Sequence, residues 1–373
     1  MANTLTAVID KLLASGLLAL RQQAIMPRLV NRRYEVLAGA RGTSIDVPIP
    51  SAIAAAVVAP AAVPPSTADI VPTSVSIALD QWYEAPFYLT DKEQLEVMDG
   101  LIPMQASEAV KALANQVDTD ILGKYTKVYG FAGVAGTTPF AVDVAEYLDA
   151  RKTLNKQLSP MDERAVVLDV DAEAKAINLR AFQDASFRGD VEGIINGQIG
   201  RKLGAVWVMD QNVKTHVSAA TGYLVNNGAG YAIGIATIVI DTGSNAFVVG
   251  DIVSFAGHSQ TYVITVATGG PPNTGISFNP PLVAAIVDNA AITCRATHVV
   301  NLNFHRDAFA LASRPLEASD PFGLGRFQVA IDPVSGLALR FEVSREHKRT
   351  RFCYDILWGS QCVRPELACR IAG

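Results

Sequence analysis

At 373 residues the chain is longer than one ordinary core needs and too short for three domains, so its length predicts a main body with one extra module. Half of the residues are hydrophobic and only 18% are charged, against roughly 25% in an ordinary soluble domain, which predicts that other protein covers part of the surface. With 31 basic and 36 acidic residues the net charge is -5, and this excludes a chain built chiefly to grip nucleic acid through a basic surface.

The amphipathic arm comes first. Asn3 can cap a helix in which Leu5, Val8, Ile9, Leu12, Leu13 and Leu17 recur at steps of three and four, giving one apolar stripe that needs a partner. Asp10 and Lys11 precede the apolar stretch from Leu12 to Leu20, and no small-residue cleavage site follows, so a signal peptide is not expected. From Lys11 to Arg41 the basic residues Lys11, Arg21, Arg28, Arg32, Arg33 and Arg41 outnumber the single acid, Glu35. A solvated helix face explains this bias, and contact with an acidic partner or nucleic acid is the alternative.

Two β-rich stretches, Tyr34 to Pro50 and Ile70 to Leu89, then predict a long two-stranded hairpin. Six of the 19 prolines fall between Pro48 and Pro72, which suits edge strands and loops rather than a central ladder. Such a ribbon is marginal alone in water and is expected to lie against something else, most simply another subunit. Residues Met104 to Tyr125 predict a helix roughly 30 Å long with Ala106, Val110, Leu113, Val117, Ile121 and Leu122 on one face and Pro103 at its start. Beyond it the periodicity predicts a helix from Asp143 to Leu158, a strand from Arg164 to Leu168, a helix from Asp171 to Leu179 and a strand from Gly204 to Met209, an α/β or α+β body.

The pattern changes from His216 to His298. These 83 residues hold ten of the 28 glycines and only four charges, Asp241, Asp251, Asp288 and Arg295, around short apolar strands such as IATIVI, FVVGDIVSF, TYVITV and AAITCRA. That profile predicts a small closed all-β module. Residues Val299 to Gly373 resume the mixed, more highly charged pattern of the body, with strand-like ALRFEVSRE and RTRFCYDILWG, so the module is an insertion. Its ends, within Gln211 to Ala220 and Thr297 to Asn301, should lie side by side to leave the body undisturbed. Neither uncharged run, Val47 to Ala68 with five prolines or the glycine-rich Ile252 to Val287, can cross a bilayer as a helix.

Chemistry-bearing motifs are sparse. Asp241-Thr242-Gly243-Ser244 after an apolar strand resembles the catalytic loop of an aspartic protease, but that chemistry needs two carboxylates and no second DTG or DSG occurs, so a hairpin turn is expected. Gly257-His258-Ser259-Gln260 begins like a nucleophile elbow, yet Thr261 stands where glycine is needed and strands flank it on both sides. His216, His258, His298, His305 and His347 are too widely spaced for a helical metal pair, and Cys294, Cys353, Cys362 and Cys369 form no CxxC, as in a chain kept in a reducing compartment. The acid pairs Asp118 with Asp120 and Asp162 with Glu163 read as solvated charge on polar faces. No catalytic, cofactor-binding or metal-binding residue is assigned.

Four segments in order, RKTLNKQLSPMDERAVVLDVDAEAKAI, EGIINGQIGRKLGAVWVMDQNV, NLNFHRDAFALASRPLE and YDILWGSQCVRPELACRIAG, resemble tailed-bacteriophage major capsid proteins, specifically coat proteins of the short-tailed Salmonella phage type. The resemblance spans nearly the whole chain and implies an α+β Hong Kong 97-type capsid fold with an inserted β-barrel. It implies an N-terminal arm over residues 1–33, an extended loop over 34–90, a spine helix and peripheral domain over 91–139, a first axial part over 140–215, the barrel over 216–298, and the remaining axial and peripheral parts over 299–373. It further implies self-assembly of pentamers and hexamers into an icosahedral shell around double-stranded DNA touched non-specifically on the inner face, with a scaffolding protein and a portal as partners. The place implied is the virion, assembled in the host bacterial cytoplasm without a membrane, and no enzyme activity or cofactor is implied. The isopeptide crosslink of the founding capsid type cannot be located in this sequence and is not expected of the Salmonella-phage type. Two rivals are an encapsulin-like shell protein and a secreted carbohydrate- or matrix-binding protein using the β module, for which Tyr223, Tyr231, Phe247, Phe255, Tyr262 and Phe278 look too scattered.

Overall fold

The helix Leu101–Gly123 is the axis around which the chain is organised, with Val110, Leu113, Ala114, Val117 and Ile121 buried along one face. It starts three residues before the expected Met104, and Pro103 sits in its first turn, where backbone N–H groups lack an intrahelical acceptor anyway. It ends at Gly123, and Tyr125 falls in a tight 3-10 turn, Lys124–Lys127, that brings the chain towards the barrel. The computed structural model describes residues 12–14, 16–20, 24–34, 44–50, 53, 60, 72–96, 101–184, 197, 199–316 and 325–373.

A five-stranded antiparallel sheet lies on this helix. Its central strand, Arg349–Cys362, pairs on one edge with Gln81–Thr90 and on the other with Ala338–Glu346 and Phe309–Arg314, and Gly325–Ile331 closes the far side. Strand alternation sends Phe352, Tyr354, Ile356 and Trp358 into the core with Leu339 and Phe341. Each such burial contributes about 1.5–3 kcal/mol to holding the sheet on the helix.

A seven-stranded sheet forms the second layer. Arg164–Leu168, the strand expected there, is buried throughout; it runs parallel to Ala205–Met209 and antiparallel to His298–His305, which pairs in turn with Ala368–Ala372. Helices Ala145–Lys156 and Val170–Asn178 cover one face, packing Tyr147, Leu154, Ala172 and Ala176 with Trp207 and Phe182. Both helices match the expected segments within two residues. Asp169 caps the second by accepting from the backbone N–H groups of Asp171 and Ala172.

Six strands between Tyr223 and Cys294 form a closed barrel with its own core, in which Tyr223, Ile238, Ile240, Phe255, Tyr262, Ile276 and Phe278 meet. Closure leaves no unpaired barrel edge. Two of its strands, Tyr223–Val225 and Gly275–Asn279, were not among the expected segments, being short and broken by polar residues. The chain enters and leaves on paired strands: Thr215 and His216 lie opposite Val299 and His298.

Two expectations are corrected. Of the arm's stripe, Leu5, Val8 and Ile9 lie outside the described region, and the described part finds its partner within the same chain. Leu12, Leu13 and Leu20 are buried in the main core, the Tyr354 hydroxyl donates to the Leu12 carbonyl at 2.9 Å, and Gly16 lies against Tyr354 and Val110. The core opened by the long helix and the sheet is wide enough to take a third layer. The ribbon, whose turn lies mostly outside the described residues, is not one continuous hairpin either. Ser44–Ile49 pairs with Thr73–Ala78, and the chain then leaves the ribbon to add Gln81–Thr90 to the five-stranded sheet. Ile45, Val47 and Ile77 pack on Ala310, Ala312 and Val363 of the same chain, so the base is seated internally. Gly359 is required here because any Cβ would collide with the Ala78 carbonyl.

Candidate assembly surface and the polar joints behind it

The face of the five-stranded sheet turned away from the helix carries paired charges and aromatic rings. Arg340 donates to both carboxylate oxygens of Asp355, and the Trp82 indole N–H donates to the same group at 3.0 Å. Arg351 bridges Glu84 and Glu342 across three strands, and the Arg349 guanidinium lies 4.5 Å over the Tyr88 ring. Trp82 and Tyr88 are 62% and 44% exposed, an unusual fraction for large rings held in place by their neighbours. The Arg340–Asp355 pair is largely buried and ties two strands together, whereas the half-exposed pair of Arg351 with Glu84 contributes little to stability and chiefly fixes a pattern of charge and ring faces. The strand Gly325–Ile331 lies at the opposite edge of the sheet from Gln81–Thr90; among the described residues it pairs with Ala338–Glu346, and Ile331 is exposed.

The residues singled out for chemistry are dispersed. Asp241 ends a barrel strand opposite Leu224, and Thr242 follows with a left-handed backbone; among the described residues no hydrogen bond ties Asp241 to another carboxylate. His258 and Ser259 lie in the turn between two antiparallel barrel strands, His258 bonded to the Tyr262 hydroxyl at 2.9 Å, so this is a hairpin rather than an elbow. All four cysteines are free thiols, and burial pushes each up to about 12, which keeps them protonated at neutral pH. Among the described residues no group of His, Cys, Asp and Glu could hold a metal ion, and no helix is long and apolar enough to cross a membrane. Of the basic arm residues, Arg28 and Arg33 are exposed, while Lys11, Arg21 and Arg41 lie outside the described region.

One acid pair is not solvated. Asp118 is 1% exposed and accepts from the backbone N–H groups of Ile25 and Met26 at 3.0 and 3.1 Å, which seats the arm on the long helix. Burial raises its carboxyl to about 8 and nearby Asp210 adds to this, against the two N–H bonds. Asp120 accepts from the Trp358 indole at 3.1 Å and the Ser360 hydroxyl at 2.6 Å, tying the helix to the central strand. Helical periodicity marks which acids share a face but not that a second segment will cover it. The other pair agrees with its reading: Asp162 and Glu163 stay on the surface.

A second buried constellation lies where the barrel meets the body. His216 Nε2 is 2.8 Å from Asp251 Oδ1 and its Nδ1 is 3.1 Å from the Tyr125 hydroxyl. Arg370, wholly buried, donates to the Gly250 carbonyl at 2.8 Å and to the Tyr125 carbonyl at 2.9 Å. The His298 ring lies 5.6 Å from that of His216, tilted by 54°, and bonds through Nδ1 to the Ala296 carbonyl. Spacing along the chain gave no sign that His216 and His298 would meet; the only available signal was that both stand at the ends of the insertion.

No protein-family model matches this chain, and no curated protein matches it. Among solved structures it is similar to one from Mycobacterium phage Che8, with 17% identity, a TM-score of 0.52, and 93% of this chain covering 90% of that one. It is also similar to the capsid structure of the cyanophage P-SCSP1u, with 12% identity, a TM-score of 0.53, and 94% of this chain covering 88% of that one. The fold is that of a phage capsid protein. It is the α+β architecture expected from the sequence, with the closed barrel in place. A virus-like particle from Pyrococcus furiosus aligns at a TM-score of 0.46 with 9% identity and carries no argument for the encapsulin-like rival.

Proposed function

We propose that this chain is the major capsid protein of a tailed bacteriophage and builds an icosahedral shell around double-stranded DNA. The observation that carries this reading is the match of the capsid fold over more than nine-tenths of the chain. The exposed, ordered sheet face around Trp82 and Tyr88 supports it, since a subunit completed by its neighbours needs such a surface. In this reading residues 1–33 are the arm, 34–90 the extended loop, 91–139 the spine and peripheral domain, 140–215 and 299–373 the axial and remaining peripheral parts, and 216–298 the inserted barrel. The function is geometric and needs no catalytic residue. Pentamers and hexamers assemble in the host cytoplasm with a scaffolding protein and a portal, and the inner face meets DNA without sequence preference. Analytical ultracentrifugation with negative-stain microscopy of the full chain tests this, alone and co-expressed with its phage neighbours. Capsomers or closed shells are expected. A well-folded monomer at every concentration and salt, with no assembly beside a scaffolding partner, would overturn it.

A further inference from the structure

The barrel is docked on the body by two kinds of contact. One is apolar and small: Tyr129 packs with Ile252 and Val263, and the Thr261 hydroxyl donates to the Tyr129 carbonyl at 2.7 Å. The other is the buried polar cluster, to which five separate pieces of chain contribute. Tyr125 comes from the turn after the long helix, His216 and His298 from the paired strands at the ends of the insertion, Arg370 from the last strand of the body, and Asp251 from a barrel turn. Asp251 is the acid of this cluster. Its Oδ2 accepts from the Val248 N–H at 2.7 Å and its Oδ1 faces His216, so it holds both the barrel turn and the seam strand.

His298 is the group with least freedom to take a charge. It is 2% exposed, and its Nδ1 is committed to the Ala296 carbonyl, so that nitrogen carries the proton of the neutral ring. Its Nε2 is buried without a hydrogen-bond partner among the described residues, and so is Arg370 Nε. Phe131 meets the His298 ring edge-on at 5.3 Å, and the guanidinium of half-buried Arg295 lies 5.4 Å over the same phenyl ring. The charged and titratable groups facing His298 are therefore Arg370, His216 and Asp251, with Tyr125 behind them. A proton on Nε2 would find no acceptor and would stand beside a permanent guanidinium charge.

We propose that this cluster is an acid-released latch: protonation of His298 sets two buried cations, Arg370 and His298, against one carboxylate, Asp251, and frees the inserted barrel from the body while each keeps its own core. The separate barrel core and the smallness of the apolar contact make such a release possible without global unfolding. Burial, and then the charges of Arg370 and His216, lower His298 from 6.5 to about 4, against the helping Ala296 bond and Asp251 charge, which places the transition in mild acid. The latch is independent of the shell reading, since it is a property of one chain.

Hydrogen exchange of the full chain, compared as protection factors between pH 7 and pH 4, tests it. Protection in segments 124–131, 214–218, 248–252 and 295–300 should fall by up to tenfold per pH unit, the limit for one proton, while barrel strands 262–268 and 275–279 and the central strand 352–358 stay protected. His298→Asn, which keeps a donor for the Ala296 carbonyl and cannot take the proton, should lose the acid step. The His298 imidazole signals in NMR should titrate together with the loss of joint protection. Three results would overturn the latch: a joint that stays protected to pH 4, an unchanged step in His298→Asn, or a His298 that titrates near 6.5 without opening. If His298→Asn fails to fold, the coincidence of imidazole titration and opening in the natural chain decides the matter.

Discussion

The arm seat at Asp118 and the barrel joint at His298 are both buried polar contacts that fasten a peripheral piece to the body, yet they respond to acid in opposite directions. At the seat the desolvated group is an acid, and burial favours its protonated form, so it is raised to about 8 from 3.8. At the joint it is a base, and burial again favours the neutral form, which here is the deprotonated one, so it is lowered to about 4 from 6.5. The same physical cause therefore gives opposite pH slopes. Between 3.8 and 8 the seated arm binds more protons than the unfolded chain, so its hold weakens as pH rises through that window. Between 6.5 and 4 the unfolded chain binds more protons than the docked joint, so docking weakens as pH falls.

The comparison is broken most severely at Arg370. Arg370→Met should cost roughly 3–5 kcal/mol, because the buried carbonyls of Gly250 and Tyr125 both lose a charged donor and the nearby Asp251 carboxylate loses a positive neighbour. Urea unfolding at pH 7 measures the loss, and hydrogen exchange should place it at the joint rather than at the seat. Next in size is the acid response itself. Lowering the pH from 6.5 towards 4 should destabilise the joint by up to about 3 kcal/mol while stabilising the seat, so exchange at residues 295–300 rises as exchange at 24–31 falls. Parallel changes at both places would defeat the contrast.

Asp118→Ala should cost about 1–3 kcal/mol by leaving the Ile25 and Met26 N–H groups without an acceptor. Asp118→Asn keeps one acceptor oxygen and should flatten the pH slope at the seat without touching the joint, as read by exchange of those two amides. The smallest effect is expected at Asp241→Asn, inside the barrel but outside the joint. It should shift stability by less than about 0.5 kcal/mol. It should also leave any pepstatin-sensitive cleavage unchanged, and loss of a measurable one would revive the protease reading.

Regular elements with strong periodicity were legible. Arg164–Leu168 and Ala338–Glu346 stand where the apolar runs place them, and the long helix is displaced by only a few residues because Pro103 fits its first turn rather than preceding it. The barrel was legible as a change of composition, since glycine turns and a scarcity of charge recur over its whole length. The polar joints were not. Asp118 reads as one more acid on a helix, and its burial follows from the arm lying across that face. His216 and His298 stand 82 positions apart and meet only because the ends of the insertion pair as strands.

Local pattern and composition by themselves determined the order of elements, the inserted β module and the absence of a motif that would need catalysis, because turn chemistry, apolar spacing and charge content act over a few residues at a time. Tertiary structure alone decided that the described part of the arm and the ribbon base are seated within the chain, and that Asp251, His216, His298 and Arg370 share one buried space. Desolvation and ion pairing depend on what lies within a few ångströms, and for these residues that is set by segments far away in the chain.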